Sequence, residues 1–148
     1  MELIIYKIGK TAAEWESLVG KYLNFLKPDR LLIEAIKPER DLGLENQALV
    51  SRINFSYPVL VLTEHGQTYN TLEFSDLLTN EASATGRIQF VIGGAFGFEK
   101  TVLADLKQKG AKLISLSPMT MQHDLALVVL LEQLFRAKTI REGRKYHY

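Results

Sequence analysis

The sequence predicts an α/β fold with a mainly parallel sheet and helices on both faces. β-Prone apolar runs alternate with helix-like segments five times along the chain, a pattern typical of such folds. The run PVLVLT at Pro58–Thr63 is almost continuously apolar, as expected of a strand buried on both faces of a parallel sheet. The 148 residues contain no linker or internal repeat, so we expect one domain, residues 1–148.

The first part of the chain predicts a strand, a helix and a strand. Glu2–Ile8 is rich in Leu and Ile and is expected to form the first strand. Thr11 and Glu14 have the spacing of a capping box, which predicts a helix that begins at Thr11. Behind them, apolar residues recur with helical spacing: Trp15, Leu18, Val19, Tyr22, Leu23 and Leu26. Arg30–Lys37 is the second predicted strand.

The middle of the chain continues the alternation. Charged residues and Gly43 predict a loop over 38–46, and a short helix is expected at about Leu44–Ile53. The strand Pro58–Thr63 leads into a predicted loop, Glu64–Gln67. Three further elements are expected: a helix capped by Asn70 with Glu73, a strand at Arg87–Ile92, and a helix through Val102, Leu103 and Leu106 that ends before Gly110.

The last strand, Lys112–Ser117, leads through a polar loop to a long helix whose first half is unusually apolar. Seven apolar residues follow one another over 125–131. One face carries Leu125, Val128 and Val129, and another carries Leu127, Leu130, Leu131 and Leu134. A surface helix needs only one apolar stripe, so the second face predicts a partner subunit and a homodimer in which Leu127 and Leu130 meet the partner. The alternative is a central helix covered on both sides by its own chain.

Composition excludes several classes of protein. The absence of cysteine rules out disulfides and thiol catalysis, and no apolar run is long enough for a signal peptide or a membrane span. We therefore expect a cytoplasmic protein. The three histidines share no metal-ligand spacing, so no metal is expected. Residues 136–148 hold five basic residues and one acid, which suits contact with phosphate, although a solvated tail is the alternative.

Ligands of open parallel sheets bind beyond the carboxyl ends of the strands, and three predicted loops lie there. They follow Leu62, Ile92 and Leu116. Gly93, Gly94 and Gly97 would let a ligand approach the backbone, but their GGxxG spacing is not a nucleotide-phosphate motif, and a tight turn is the alternative. The loop 117–121 (SPMTM) offers hydroxyls, thioethers and free backbone groups to an adenine and a sulfonium, unless its methionines are core fillers.

Four segments together resemble one family. FVIGGAFGF (90–98), SLSPMTMQH (115–123), VLLEQLFRA (129–137) and the terminal KYHY (145–148) resemble the bacterial ribosomal RNA large subunit methyltransferases of the RlmH type, in the SPOUT superfamily. The first strand, the first helix and EHG (64–66) fit as well, so the resemblance covers essentially the whole chain.

The resemblance implies a C-terminal trefoil knot that binds S-adenosylmethionine, and a homodimer paired through the knot helices. The implied reaction is methylation of N3 of a pseudouridine in 23S ribosomal RNA on the assembled ribosome. The cofactor contacts carried over by motif are Leu62, Gly93, Leu116, Ser117, Pro118, Met119, Thr120 and Met121.

The tail supplies candidates for the reaction itself. We expect His147 to accept the proton from N3 and Tyr146 to stack on a base. The residues expected to hold phosphates are Arg136, Arg141, Arg144 and Lys145.

Two alternatives for the function stay open. The resembling family usually has arginine where this chain has Leu127, and a proline or similar residue where it has Gln122. These departures favour a catalytically impaired relative that binds RNA or the ribosome. The sheet pattern alone would also fit a flavodoxin-like nucleotide-binding module.

Overall fold

The computed structural model describes residues 1–146, and His147 lies outside them. Its five strands form one parallel sheet in the order β2-β1-β4-β3-β5. The strands are β1 (Glu2–Ile8), β2 (Arg30–Ile36), β3 (Val59–Thr68), β4 (Arg87–Ile92) and β5 (Lys112–Ser115). The helices are α1 (Ala13–Phe25), α2 (Leu42–Val50), α3 (Thr71–Ala82), α4 (Lys100–Gln108) and α5 (His123–Arg141). The predicted α/β fold with a parallel sheet is confirmed.

The helices lie on both faces of the sheet, as predicted. On one face, α1, α3 and α5 pack on strand residues such as Leu3, Leu60 and Phe90. On the other face, α2 and α4 pack on alternate strand residues such as Val61 and Val91. This arrangement buries both faces of the central strands, which explains their continuous apolar runs.

The predicted capping box at Thr11 and Glu14 is wrong, whereas the one at Asn70 and Glu73 is present. The N-cap of α1 is Ala12, whose methyl side chain cannot accept a hydrogen bond. Its amide instead donates a hydrogen bond of 3.1 Å to the Asp124 carboxylate on α5. A distant residue thus takes the acceptor role that a capping-box glutamate would have, and local spacing gave no sign of it.

The loop predicted at Glu64–Gln67 is part of β3, which continues to Thr68. After an irregularity beyond Leu62, Gln67 and Thr68 pair with the end of β5. Gly66 makes this crossing possible, because a Cβ there would lie 2.5 Å from a backbone atom of Ile114. β5 ends at Ser115, two residues earlier than predicted.

The apolar residues expected to meet a partner subunit are covered by the chain itself. Leu127, Leu130, Leu131 and Leu134 are buried in the core formed with the sheet, α1 and α3. The prediction that Leu127 and Leu130 face a partner is therefore wrong. The outer face of α5 remains: Leu125 is exposed, and Val128 and Val129 are only half-buried.

Candidate functional site

A cavity of about 360 Å³ lies beyond the carboxyl ends of β4 and β5 and beside the middle of β3. Three stretches of chain, one residue of α4 and the start of α5 form its wall, which comprises Leu62–His65, Ile92–Phe98, Leu103, Leu116, Ser117, Met119–Met121, His123 and Ala126. All the predicted cofactor residues except Pro118 are among them. The sequence therefore located the cavity, because parallel strands bring their carboxyl ends to one edge of the sheet.

The glycine loop after β4 is a tight turn held from behind. The Gly97 amide donates to the Gly94 carbonyl at 3.0 Å, and Gly97 has a φ of +65°, which favours glycine. A Cβ at Gly93 would lie 3.0 Å from the Phe98 ring. Asn46, fully buried on α2, donates to the Gly97 carbonyl and accepts from the Glu99 amide at 2.9 Å. The glycine loop is therefore a tight turn, and it also forms part of the cavity wall.

The loop after β5 is also shaped by its own hydroxyl groups. Ser115 Oγ donates to the Ser117 carbonyl at 2.8 Å, and Ser117 Oγ accepts from the Met119 amide at 3.0 Å. These bonds leave Met119 77% exposed, so it is not a core filler. Phe96, in the glycine loop, is 86% exposed and lines the same cavity. Two large apolar side chains therefore lie in its wall, open to solvent.

A buried ion pair, which sequence analysis missed, lies behind this cavity. Lys7 Nζ is 2.9 Å from Asp124 Oδ1, and the two residues are 0% and 2% exposed. The Lys7 ammonium also donates to the Gly9 carbonyl at 2.8 Å. The pair therefore joins the end of β1, the start of α1 and the start of α5. Next to Asp124 is His123, a residue of the cavity wall.

The Asp124 carboxyl stays ionised despite its position. Burial raises the pKa of Asp124, but the contact with the Lys7 ammonium, the Ala12 amide and the charges of Lys7 and His123 outweigh burial and hold it below its usual value. A signal for Lys7 was present in the sequence, since a lysine inside the run ELIIYKI needs a buried partner. Nothing in the sequence identified Asp124 as that partner.

Tyr146 lies at the other end of α5, away from the cavity. Its ring packs on Phe135 with 4.7 Å between centroids, and its hydroxyl lies 3.3 Å from Glu132 Oε1. Phe135 is 12 positions beyond His123, about 18 Å along a helix. Burial, followed by the Glu132 charge, raises the pKa of Tyr146, so the phenol stays protonated at neutral pH. In a single chain Tyr146 does not reach the cavity.

The arginines expected to hold phosphates are engaged with carboxylates. Arg136 lies 2.8 Å from Glu132, Arg141 lies 3.6 Å from Asp29, and Arg144 lies 3.0 Å from Glu142. Lys145 is exposed and makes no ion pair within residues 1–146. The positive charge of the tail is therefore partly neutralised by acids that the fold brings to it.

Residues 1–146 contain neither a metal-binding group of side chains nor a membrane-spanning helix. No three His, Cys, Asp or Glu side chains in this range are grouped so that they could hold a metal ion. None of the helices in the same range has the length and apolar character needed to cross a membrane.

Residues 1–147 match the family model described as "Predicted SPOUT methyltransferase". Proteins named "Ribosomal RNA large subunit methyltransferase H" are similar over nearly the whole chain. The one from Prochlorococcus marinus is 37% identical, covering 97% of this chain and 93% of its own. The one from Desulfovibrio desulfuricans is 36% identical, covering 90% and 88%. The one from Kosmotoga olearia is 34% identical over the full length of both.

Solved structures share the fold at low sequence identity. A probable rRNA-methyltransferase from Porphyromonas gingivalis is similar with a TM-score of 0.61 and 12% identity, over 95% of this chain and 69% of that one. A putative methyltransferase from Legionella pneumophila, solved with bound S-adenosylmethionine, gives a TM-score of 0.56 and 12% identity over 93% and 66%.

Proposed function

The chain belongs to the SPOUT methyltransferase family, and from this premise we propose that it uses S-adenosylmethionine to methylate N3 of a pseudouridine in 23S ribosomal RNA. The observation that carries the proposal is the cavity whose wall contains almost every cofactor residue carried over by motif. Relatives about one third identical, named as large subunit methyltransferases, support ribosomal RNA as the substrate. The proposed place of action is the cytoplasm, on assembled ribosomes.

The lining of the cavity fits the cofactor. Its volume of about 360 Å³ lies within the range of small-ligand sites. Leu62, Leu116 and Met121 offer apolar contact to an adenine, while the glycine loop offers backbone groups without intervening side chains. Among residues 1–146, no lysine or arginine lines the cavity, so no permanently charged cation of these residues repels a sulfonium there. When bound, S-adenosylmethionine supplies a methyl group activated by a positive sulfur.

Phe96 and Met119 suit the second reactant. Unpaired RNA bases are recognised by stacking on exposed aromatic and apolar side chains. Both residues lie in the cavity wall and are largely exposed to solvent, which is unusual for such large apolar groups. We therefore assign them to the target base, which would stack beside the methyl donor. Leu127, one of the two departures from the family pattern, is buried in the core and does not line the cavity, so its side chain makes no contact with either reactant in this proposal.

A homodimer would bring the tail to the site. Tyr146 lies far from the cavity of its own chain, so the roles proposed for Tyr146 and His147 require the tail of a second subunit. The outer face of α1, α3 and α5 carries exposed apolar residues that suit such an interface: Leu18, Phe25, Leu72 and Leu125. The close crossing at Gly66 is compatible with the proposed trefoil knot.

The dimer has a direct test in two matched leucine substitutions. Leu125→Glu, on the outer face of α5, should shift the protein to monomer in light scattering at micromolar concentration. Leu44→Glu introduces the same charge on α2, across the sheet, at a leucine that is also exposed. This control should remain dimeric. A wild-type monomer would refute the dimer.

The reaction is tested by mass spectrometry of 23S ribosomal RNA from cells with and without the gene. The expected result is loss of one N3-methylated pseudouridine in the deletion strain and its return when purified protein and S-adenosylmethionine are added to those ribosomes. Cofactor binding without transfer would support the impaired relative instead. Preference for flavin or a nucleotide would support the flavodoxin-like module.

A further inference from the structure

We propose that His123, in place of His147, is the base that removes the N3 proton, and that Asp124, held by Lys7, is its positioning residue. This inference rests on the proposed function, because it names the group that prepares the target nitrogen for methylation. It starts from three residues that lie together at the beginning of α5 and whose clustering was not predicted.

A contribution to folding stability does not explain why Lys7 and Asp124 form a buried ion pair. Bringing two charges out of water costs several kcal/mol per ion by order of magnitude, and apolar residues of similar volume often serve a core as well. Lys7 and Asp124 are nonetheless both almost fully buried, and they lie directly behind the cavity wall. Their position fixes a carboxylate next to His123.

The imidazole of His123 connects this pair to the cavity. Its buried Nδ1 lies 3.3 Å from Asp124 Oδ1 and makes no well-aligned hydrogen bond within residues 1–146. A small rotation of the ring would align an Nδ1–H with the carboxylate, and catalytic hydrogen bonds commonly tighten only when substrate binds. The side chain is half-buried and forms part of the cavity wall.

The carboxylate selects the tautomer that a base needs. An ionised Asp124 accepts hydrogen bonds only, so it favours the proton on Nδ1. The lone pair is then on Nε2, the nitrogen on the opposite side of the ring from Asp124. An aspartate orients a catalytic histidine in the same way in serine proteases. Lys7 keeps Asp124 ionised and fixed, and the Ala12 amide holds its second oxygen. The other titratable groups of the cavity wall are Glu64 and His65.

His123 Nε2 takes the proton from N3 of the target base, and the N3 electron pair forms a bond to the methyl carbon. The carbon–sulfur bond of the sulfonium donor breaks, and its electron pair stays on sulfur as a thioether. The imidazolium formed on His123 is stabilised by Asp124 and later loses its proton to water.

The tautomer can be measured without any ligand. Nitrogen-15 NMR distinguishes Nδ1–H from Nε2–H, and with three histidines His65→Asn and His147→Asn spectra suffice for assignment. We expect His123 to carry its proton on Nδ1 in the wild type and to lose this preference in Asp124→Asn. A wild-type His123 with its proton on Nε2 would overturn the proposal.

Turnover provides the second test. His123→Asn keeps a donor near Asp124 but has no nitrogen that accepts a proton. We expect it to slow methylation of ribosomes by about 100-fold or more, the usual range for a lost base, while calorimetry shows cofactor affinity within about twofold. Normal turnover would overturn the base assignment, and an equal loss of cofactor affinity would reduce His123 to a wall residue. A wild-type protein without turnover would instead overturn the proposed function.

A double variant separates positioning from folding. Lys7→Met with Asp124→Leu replaces both charges by apolar groups and should recover most of the stability that Lys7→Met alone loses. It should stay about as slow as His123→Asn, because the imidazole has lost its acceptor. Lys10→Met, three positions away and exposed, should match the wild type in both respects. Full turnover by the folded double variant would show that the ion pair is only structural.

Discussion

The two ends of α5 carry ionic clusters of opposite character. At the N-terminal end, Lys7 and Asp124 are buried and form an ion pair that, among residues 1–146, is joined only by His123 when that side chain is protonated. At the C-terminal end, Asp29 lies within 3.6 Å of the Met1 amine, Lys138 and Arg141. Lys138 and Arg144 also share Glu142. In the N-terminal cluster the two charges are buried and depend on each other, whereas in the C-terminal cluster several cations share two carboxylates that are partly exposed to solvent.

The two clusters should respond differently to the loss of a single charge. Each carboxylate of the C-terminal cluster keeps another cation when one is removed, and water screens what remains. Removing one partner at the N-terminal end leaves an uncompensated charge in the core. We therefore expect a site held rigidly at one end of the helix and an adaptable surface, suited to RNA or a second subunit, at the other.

The largest expected effect is on folding stability. Lys7→Met should lower the free energy of unfolding by about 3–5 kcal/mol, because it strands the buried Asp124. Lys138→Met, the matched change at the other end, should cost about 1 kcal/mol or less, since Asp29 and Glu142 keep other partners. Urea denaturation measures both values. Equal losses would erase the distinction between the two clusters.

Cofactor binding should depend on the cavity end alone. In Gly93→Val the new Cβ meets the Phe98 ring, so the glycine loop must shift. We expect cofactor affinity to fall by at least about 100-fold, or about 2.7 kcal/mol, in calorimetry of the folded variant. Gly20→Val adds the same atoms to α1, where a Cβ meets nothing within 4 Å. Unchanged affinity in folded Gly93→Val would move the site elsewhere.

Removal of the tail should separate binding from turnover. Deletion of residues 146–148 should leave the dimer and the cofactor affinity nearly intact but slow methylation of ribosomes by at least about 100-fold, or about 2.7 kcal/mol of transition-state stabilisation. Tyr146→Phe keeps the ring that would stack and should remain within a few-fold of the wild type. Wild-type turnover by the truncated protein would make the tail an ordinary chain end.

Lowering the pH should also change the stability contributed by the two clusters to different extents. The pKa of Asp124 lies below its usual value, so the folded state binds fewer protons than the unfolded state there. This stabilisation is complete above the unfolded pKa of about 4 and disappears as the pH falls through the folded pKa. The pKa of Glu142 is also lowered, mainly by the hydrogen bond from Lys138, but that carboxyl is solvent-exposed.

Stability of Asp124→Asn should consequently vary less with pH in the acid range than that of the wild type. Glu142→Gln should follow the wild-type curve, because water screens its ion pairs. Urea denaturation across this range measures both. A flattened curve for Glu142→Gln would show that the C-terminal cluster is more tightly coupled than we infer.

The smallest effect concerns ribosome binding. Arg144→Ala with Lys145→Ala should reduce the salt dependence of binding by about one phosphate contact, since Arg144 is already paired with Glu142. Lys107→Ala with Lys109→Ala removes two exposed cations at the C-terminal end of α4, on the other face of the sheet, and should leave the slope unchanged. Equal slopes in all three proteins would exclude the tail from the RNA contact.

The amino-acid sequence was enough to predict the alternation of strands and helices, and with it the edge of the sheet where the cavity lies. Periodicity and continuous apolar runs report burial directly, and a parallel sheet brings the segments after Leu62, Ile92 and Leu116 to one edge. Three of the four segments that resemble the family also lie at this edge or in α5.

Which residues are hydrogen-bond or ion-pair partners became clear only from the tertiary structure. Asp124 accepts a hydrogen bond from the Ala12 amide, 112 positions away, and pairs with Lys7, 117 positions away. Asn46 donates a hydrogen bond to the glycine loop, 51 positions away. The same holds for α5, whose inner leucines are covered by α1 and α3 rather than by a partner. Such contacts depend on how the elements pack. Local spacing cannot report them, because burial and pairing are properties of the folded chain as a whole.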